Sequence, residues 1–530
     1  MPLPNDIAQV IEDQCQVTPG RGVLTFVDTG PDGTFQDEHR SFGELRANGR
    51  RLAAWLRSQG VGPGDRFAIM LQNHPEFVEA MVAAAYLGAV FVPIDPRSVN
   101  DKLVYMLNFV EARVVIAGTY ALDALFHVEP LLNHAPVVLV VGGEAAARDG
   151  SMMQLTNYDV LPPLQGDLAH ASPDPSSPMF MMFTSGTTGN PKAVVRSHAS
   201  YVKGMRGLRA LGVASEDIVY TGLPLCHINA HSTLGVALSL GLKAVISRKF
   251  TKSRLWDICR AYNCTVFTLL GGMIPEIFSV PERADDADNP VRLIIASGMP
   301  AGLWGEYRRR FAVEITEVYG STEAGGVLIN REGEGPMGSM GKPPPGMLAA
   351  VLDEVGQTCA PHEPGELCFR PATGEAEPVT YFRNWDASRQ KVDQGWFRTG
   401  DIAHVDEEGW FWFRHRAGGG VRRNGDFVNT TLVETVLAQS PVVADVFVYG
   451  VITSANVAGE KTLVAAIVLA PDGTLAAARA WAAERLQKND VPEIWQLLEA
   501  IPKTVSEKPI ERDCAALLFA EGLVQAPAAT

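Results

Sequence analysis

Between residues 41 and 118 apolar residues recur first with a helical period and then in short unbroken runs, and the switch repeats. Ser41 and Glu44 have the spacing of a capping box, Leu45, Leu52 and Leu56 fall near one face of the helix it would open, and Gly60 is placed to stop it. Residues 67–71 then read as a strand. Pro75 suits a first helical turn, Phe77, Met81, Ala84 and Ala85 make an apolar stripe, Gly88 ends it, and 89–94 reads as the next buried strand. This is the alternation of βαβ units, which predicts an α/β fold. The stripes themselves are core-packing features and carry no chemistry.

At 530 residues the chain is too long for one compact core, and length alone suggests about three or four domains or lobes. A Pro/Ser-rich stretch, 172–178, interrupts the pattern; beyond it, candidate strands at 218–223, 243–247, 265–270, 292–296 and 315–318 alternate with helical runs and predict a second α/β lobe. From 338 to 414, glycines and prolines separate short strand-like segments (348–352, 366–369, 410–413), as in a small β-rich subdomain. The remainder mixes strands (446–451, 462–469) with a helix (475–487) and reads as a separate C-terminal domain.

No run of about 18 apolar residues suggests a membrane span, and the first residues lack the basic start and apolar core of a secretory leader. A cytoplasmic protein without stable membrane insertion is expected, with a homodimer left open. The seven cysteines are scattered and contain no C-x-x-C pair, so reduced, mostly buried thiols are expected rather than disulfides or a zinc site. A formal net charge of -15 argues against nucleic acid as a partner. Any anionic ligand must then meet positive charge concentrated locally.

One loop is suited to that. Phe183-Thr184-Ser185-Gly186-Thr187-Thr188-Gly189-Asn190-Pro191-Lys192 follows an apolar run at 179–183. Its glycines let backbone N–H groups close on a polyphosphate, its hydroxyls donate further hydrogen bonds, and Lys192 adds a mobile charge. The spacing is not that of the Walker loop.

The segment resembles the phosphate-loop signature of the adenylate-forming superfamily, which includes acyl-CoA synthetases, luciferases and the adenylation domains of peptide synthetases. Other motifs follow in family order: Val318-Tyr319-Gly320-Ser321-Thr322-Glu323 resembles the adenine and magnesium motif, Gly395-Trp396-Phe397-Arg398-Thr399-Gly400-Asp401 the ribose motif, and Pro502-Lys503-Thr504-Val505-Ser506-Glu507-Lys508 the tail that carries a catalytic lysine. The likeness covers roughly residues 20–515. It implies two α/β lobes (about 20–337) and a β-rich subdomain (about 338–414) forming a large N-terminal domain, 1–414, followed by a small mobile α+β C-terminal domain, 415–530, hinged at His415.

The resemblance also implies roles. Thr184, Ser185, Gly186, Thr187, Thr188, Gly189 and Lys192 would cradle the ATP phosphates, with Thr187 and Glu323 as the magnesium site. Tyr319, with Gly320, Ser321 and Thr322, would lie against the adenine, and Gly298, Met299 and Pro300 would form the other wall. Asp401, an acceptor-only carboxylate suited to a diol, and Arg416 would take the ribose. Lys508 would bridge the acyl carboxylate and the α-phosphate, with Lys503 as the nearby rival. Thr187, Glu323 and Lys508 are thus the candidate catalytic residues. His227 and Asn229, with Gly298 and Gly320, would line the acyl pocket, and His227, Arg423 and Gly425 the path of the CoA pantetheine. For His231, a buried, hydrogen-bonded histidine without a gating role is the alternative.

No aspartate occurs in 225–232, where peptide-synthetase domains hold a substrate ammonium, which argues against an amino acid substrate. The expected enzyme is an AMP-forming acid:CoA ligase using ATP, Mg2+ and CoA, acting on a fatty or bulky alicyclic, terpenoid or steroid-like acid, within the branch that holds crotonobetaine/carnitine-CoA ligases. The alternatives are a stand-alone adenylating enzyme that loads a carrier protein's phosphopantetheine, and a non-enzymatic nucleotide-binding protein.

Overall fold

The computed structural model describes residues 4–522 apart from 145, 147, 185–190, 272, 417–420, 424–425, 429, 454–460, 487 and 505–506. The chain divides into two compact units. The first comprises Met1–Leu269, Asp288–Ile295 and Pro378–Arg389; the second comprises Leu270–Ala287, Ala296–Glu377 and Gln390–Thr530.

In the first unit, one sheet runs Thr380–Tyr381, Lys192–Ser197, Pro178–Thr184, Val90–Pro93, Arg66–Met70, Val114–Gly118, Val137–Val141 and Gln154–Asn157. From Pro178–Thr184 onward the neighbours pair parallel, with Ala68 paired to both Val92 and Val115, whereas Lys192–Ser197 pairs antiparallel with both Pro178–Thr184 and Thr380–Tyr381. The Ser41–Glu44 capping box forms as the spacing predicts, opening the helix Phe42–Ser58. The helix Pro75–Leu87 is buried along its whole length, because its apolar residues surround it rather than marking one stripe, and Gly88 closes it in the left-handed conformation. A second group of parallel strands, Ile218–Thr221, Lys243–Ser247 and Val266–Leu270, is extended by Gly22–Thr29, which pairs with Lys243–Ser247. Gly22–Thr29 forms an antiparallel hairpin with Phe35–Ser41, and the helix Ile7–Val17 precedes it. The helical and strand periods read from residue 41 onward miss these N-terminal elements, since Phe35–Ser41 is mostly polar and has no buried face.

In the second unit, Glu314–Gly320 pairs antiparallel with Val327–Asn330. An antiparallel sheet follows, ordered Met347–Leu352, Gly365–Pro371, Trp396–Val405 and Val392–Asp393, with Phe411–Arg416 also pairing to Trp396–Val405. Toward the C-terminus, Val443–Val451, Thr462–Leu469 and Ile494–Leu497 form a three-stranded sheet that buries both faces. Leu463, Ala465 and Ile467 pack with Val433 and Leu437 of the helix Thr430–Ala438, whereas the alternate residues Val464 and Ala466 pack with Cys514 and Leu518 of the helix Glu511–Ala520. The helix expected over 475–487 ends at Arg485, where Leu486 turns extended. All seven cysteines are free thiols and six are buried. Among the described residues no helix is long and apolar enough to cross a membrane.

Candidate active site

The second unit gathers most of the candidate residues. Asp401 lies in the strand Trp396–Val405, directly after Gly400, whose φ of +80° is a conformation that side chains rarely adopt. The corner is fixed by its neighbours. Glu366 accepts from the Arg398 guanidinium and the Gly400 N–H, both at 2.8 Å, and the Thr399 hydroxyl donates to the Leu367 carbonyl at 2.6 Å. Asp401 thereby presents its carboxylate to the Tyr319 hydroxyl at 2.5 Å and the Arg416 guanidinium at 3.1 Å. Tyr319 stacks on Phe369 with ring centroids 6.0 Å apart, and burial together with the Asp401 charge pushes its phenol pKa up.

The expected adenine wall, 298–300, is held by a residue outside every motif. Glu317, buried in the strand Glu314–Gly320, accepts from the backbone N–H groups of Gly298 at 2.6 Å and Met299 at 2.9 Å. Burial pushes its carboxyl pKa to about 8 against those two hydrogen bonds. Ser297 Oγ donates to the Val318 carbonyl at 2.6 Å. Gly298 takes φ +90°, and its Cα position lies so close to Gly271 that a Cβ would stand 3.4 Å from the Gly271 Cα. Pro300 precedes the helix Ala301–Phe311 as its N-cap. Beyond Gly320, the Ser321 hydroxyl is buried without a hydrogen-bond partner among the described residues, which is costly unless a ligand supplies one.

The two tail lysines separate. Lys503 gives its charge to Glu276 at 2.5 Å and Asp445 at 2.7 Å, which raises its pKa despite burial. Lys508 instead stands within electrostatic reach of Asp401, Glu323 and Arg416: desolvation and the Arg416 cation lower its pKa, and the two carboxylates oppose that fall. Much of the residue surface is still open to solvent, so water screens these interactions. Lys391 meets the same charges, its pKa lowered chiefly by burial and then by Arg416, with Glu323, Asp401 and Glu366 opposing. Three cations and several carboxylates thus share one locality. His415 Nδ1 lies 3.1 Å from the Arg416 carbonyl oxygen, to which it donates in the tautomer that carries its hydrogen on Nδ1.

In the first unit, Thr184 and Lys192, which flank the expected phosphate loop, are register partners of adjacent antiparallel strands, the Thr184 hydroxyl donating to the Lys192 carbonyl at 3.3 Å. Lys192 is exposed, its ammonium 5.4 Å from the Tyr381 ring centroid. Ser185, Gly186, Thr187, Thr188 and Gly189 lie outside the described residues, as does Gly425. His227 is the N-cap of the helix Ile228–Leu240 and Asn229 lies in its first turn, both half-buried. His231 is buried, with Nε2 2.6 Å from the Leu225 carbonyl and Nδ1 3.1 Å from the Tyr201 hydroxyl. That is the hydrogen-bonded alternative stated for it above. In the second unit Arg423 donates to the carbonyls of Asn489 and Val491 at 2.7 and 2.8 Å and pairs with Glu493 at 3.4 Å, so its guanidinium is engaged within its own neighbourhood.

Glu317, Glu366 and Lys391 are absent from the motif reading. Glu317 leaves a faint signal, an acid between Thr316 and Val318 in a short strand, and Glu366 lies near a strand start between Gly365 and Leu367. Lys391 leaves none. Among the described residues no group of three or more His, Cys, Asp or Glu side chains could hold a metal ion.

The model of the AMP-binding enzyme family matches residues 11–373, and that of the AMP-binding enzyme C-terminal domain matches residues 432–508. Mouse long-chain fatty acid transport protein 6 is 30% identical over 454 residues, covering 79% of this chain and 71% of that protein. A medium/long-chain-fatty-acid–CoA ligase of Mycobacterium marinum, FadD17, is 28% identical over 494 residues, covering 91% of this chain and 92% of the ligase. The crystal structure of the anthranilate CoA ligase AuaEII in complex with anthranoyl-AMP superposes with a TM-score of 0.82 at 22% identity, covering 99% of both chains. The shared fold is mixed α/β, with a large N-terminal domain and a smaller C-terminal domain.

Proposed function

This chain belongs to the family of AMP-binding enzymes, and from that membership we propose that it is an AMP-forming carboxylic acid:CoA ligase whose acid is a medium- or long-chain fatty acid. A carboxylate oxygen attacks the ATP α-phosphorus and pyrophosphate leaves; the CoA sulfur then attacks the acyl carbonyl and AMP leaves with the carboxylate's bridging oxygen. The observation that carries this reading is the separation of the two tail lysines. Lys503 is paired to two carboxylates, while Lys508 is not, its charge instead within electrostatic reach of Asp401, Glu323 and Arg416 among the described residues.

The first step brings two anions together, so its barrier falls when fixed cations stand where negative charge redistributes. Lys508 is suited to that work, its backbone held by the Thr504 N–H, which donates to the Lys508 carbonyl at 2.7 Å, and by the Thr504 hydroxyl, which accepts from the Lys508 N–H at 3.1 Å. Asp401, with Tyr319 and Arg416, would hold the ribose diol, and the unpartnered Ser321 hydroxyl fits a site completed by a nucleotide. The Glu317 clamp would keep 298–300 rigid against the base.

The donor set also fits magnesium, which is usually held by one or two carboxylates plus substrate phosphates rather than by a protein cage. Glu323 would be its protein carboxylate, and the ion would supply charge neutralisation at the phosphates; Thr187, expected as its partner, lies outside the described residues. Thr184 and Lys192 stand at the base of the phosphate loop. The C-terminal domain, 415–530, would move about His415 between the two half-reactions, and Arg423 would serve the pantetheine path.

Two relatives named for long-chain acids support the fatty acid over the alicyclic, terpenoid or steroid-like acids. Pyrophosphate release and thioester formation over a panel of fatty, alicyclic, aromatic and amino acids, with and without CoA, tests the reading. Fatty acids are expected to give the highest pyrophosphate release, with CoA-dependent acyl-CoA. Pyrophosphate release driven by an amino acid, or by no acid, would contradict it, and acylation of a carrier protein in place of CoA would favour the stand-alone adenylating enzyme.

A further inference from the structure

Lys391 lies between the helix Trp385–Gln390 and the short strand Val392–Asp393, outside every motif. Its ammonium donates to the carbonyls of Arg398 at 2.9 Å and Thr399 at 3.0 Å and sits 5.2 Å from the Phe397 ring centroid. Those carbonyls belong to the two residues that precede Gly400 and Asp401. Glu366 grips the same corner through Arg398 and the Gly400 N–H, so the backbone that presents Asp401 is clamped by an acid and by a base.

A clamp on two neutral carbonyls does not require a charge. A half-buried ammonium loses hydration, and a neutral amide could donate to the same oxygens without that loss. The charge acquires a reason from its surroundings: Glu323 and Asp401 are both within its electrostatic reach, together with the Arg416 cation. We propose that Lys391 is a positioning residue of the nucleotide site, holding the Thr399–Gly400–Asp401 corner in its diol-accepting posture and keeping a resident positive charge beside Asp401 and Glu323 when Lys508 is elsewhere. This rests on the reading of Asp401 as the ribose carboxylate.

AMP binding to the full chain, followed by calorimetry without acid or CoA, tests it apart from turnover. Lys391→Met should bind AMP about tenfold more weakly than the wild type, the scale of one charge-assisted hydrogen bond. Lys391→Arg, which keeps charge and donors, should recover most of that loss. Lys391→Gln, which keeps a donor but no charge, should recover only part. In steady-state pyrophosphate release the KM for ATP should rise in parallel while kcat at saturating ATP changes by less than about threefold, the pattern of lost uniform binding. Wild-type AMP affinity in both Lys391→Met and Lys391→Gln would overturn the proposal, as would a collapse of kcat at unchanged KM. If Lys391→Met does not fold, the Gln and Arg variants decide by the same comparison. A wild type that binds no AMP at all would remove the nucleotide-site reading itself, and this proposal with it.

Discussion

Lys503 and Lys508 share one tail and one chemistry, and their surroundings divide them. Glu276 and Asp445 hold the first, whereas the second meets Asp401, Glu323 and Arg416. The consequence is sharp for Lys508→Ala: pyrophosphate release should fall by at least about a hundredfold, the scale of losing one preorganised charge in a transition state. Conversion of a pre-made acyl-adenylate to acyl-CoA should stay near the wild-type rate, measured in parallel, and equal loss of both half-reactions would remove Lys508 from the adenylation step. Residues such as Tyr319, Asp401 and Lys508 stood out in the sequence as candidates because each stands inside a run whose types and spacing recur together, and Tyr319 and Asp401 do meet in the structure. Glu317, Glu366 and Lys391 were not, because their work is done across chain separations that no local pattern encodes: Glu317 reaches back to the 298–299 turn, and Glu366 and Lys391 grip one corner from two different strands' ends.

The helix Ile228–Leu240 shows how an element sets its own pH limits. His231 is fully enclosed, stacked near Phe91 and Phe180, and burial lowers its pKa to about 4 from an ordinary value of about 6.5. Since Nε2 faces a carbonyl, the neutral ring donates there and accepts from the Tyr201 hydroxyl through Nδ1. Between those two pKa values the unfolded chain binds a proton that the folded chain does not. Stability therefore rises with pH across the window and is lost as pH falls through it, by up to about 3 kcal/mol at the acid end. Thermal midpoints between pH 4.5 and 7, as a rough bracket of that window, should show a shallower slope for His231→Gln than for the wild type, even though the variant starts lower; parallel slopes would exclude His231 as a contributor. Capping chemistry made Phe42–Ser58 and Pro75–Leu87 legible to within a residue or two, whereas Phe35–Ser41 hid as a polar edge whose pairing with Gly22–Thr29 is visible only in three dimensions.

At the scale of the whole molecule, a chain with a formal net charge of -15 concentrates Lys391, Arg416 and Lys508 around Asp401 and Glu323. Those three cations offset the carboxylates of Asp401, Glu323 and Glu366, so the locality does not share the negative balance of the chain, which favours a polyanionic ligand in an acidic protein. The α/β class and the order of the motifs were legible because βαβ periodicity and glycine-rich turns are local; the strand order of each sheet was not, since parallel neighbours such as Arg66–Met70 and Val114–Gly118 are joined through a different strand's excursion. The central claim is that the acid's carboxylate attacks the α-phosphorus. It is tested most directly by supplying a fatty acid labelled with 18O in its carboxylate, together with ATP, magnesium and CoA, and analysing the products by mass spectrometry. The account predicts AMP carrying one 18O per turnover and unlabelled pyrophosphate. Unlabelled AMP, or label in phosphate or pyrophosphate, would contradict it.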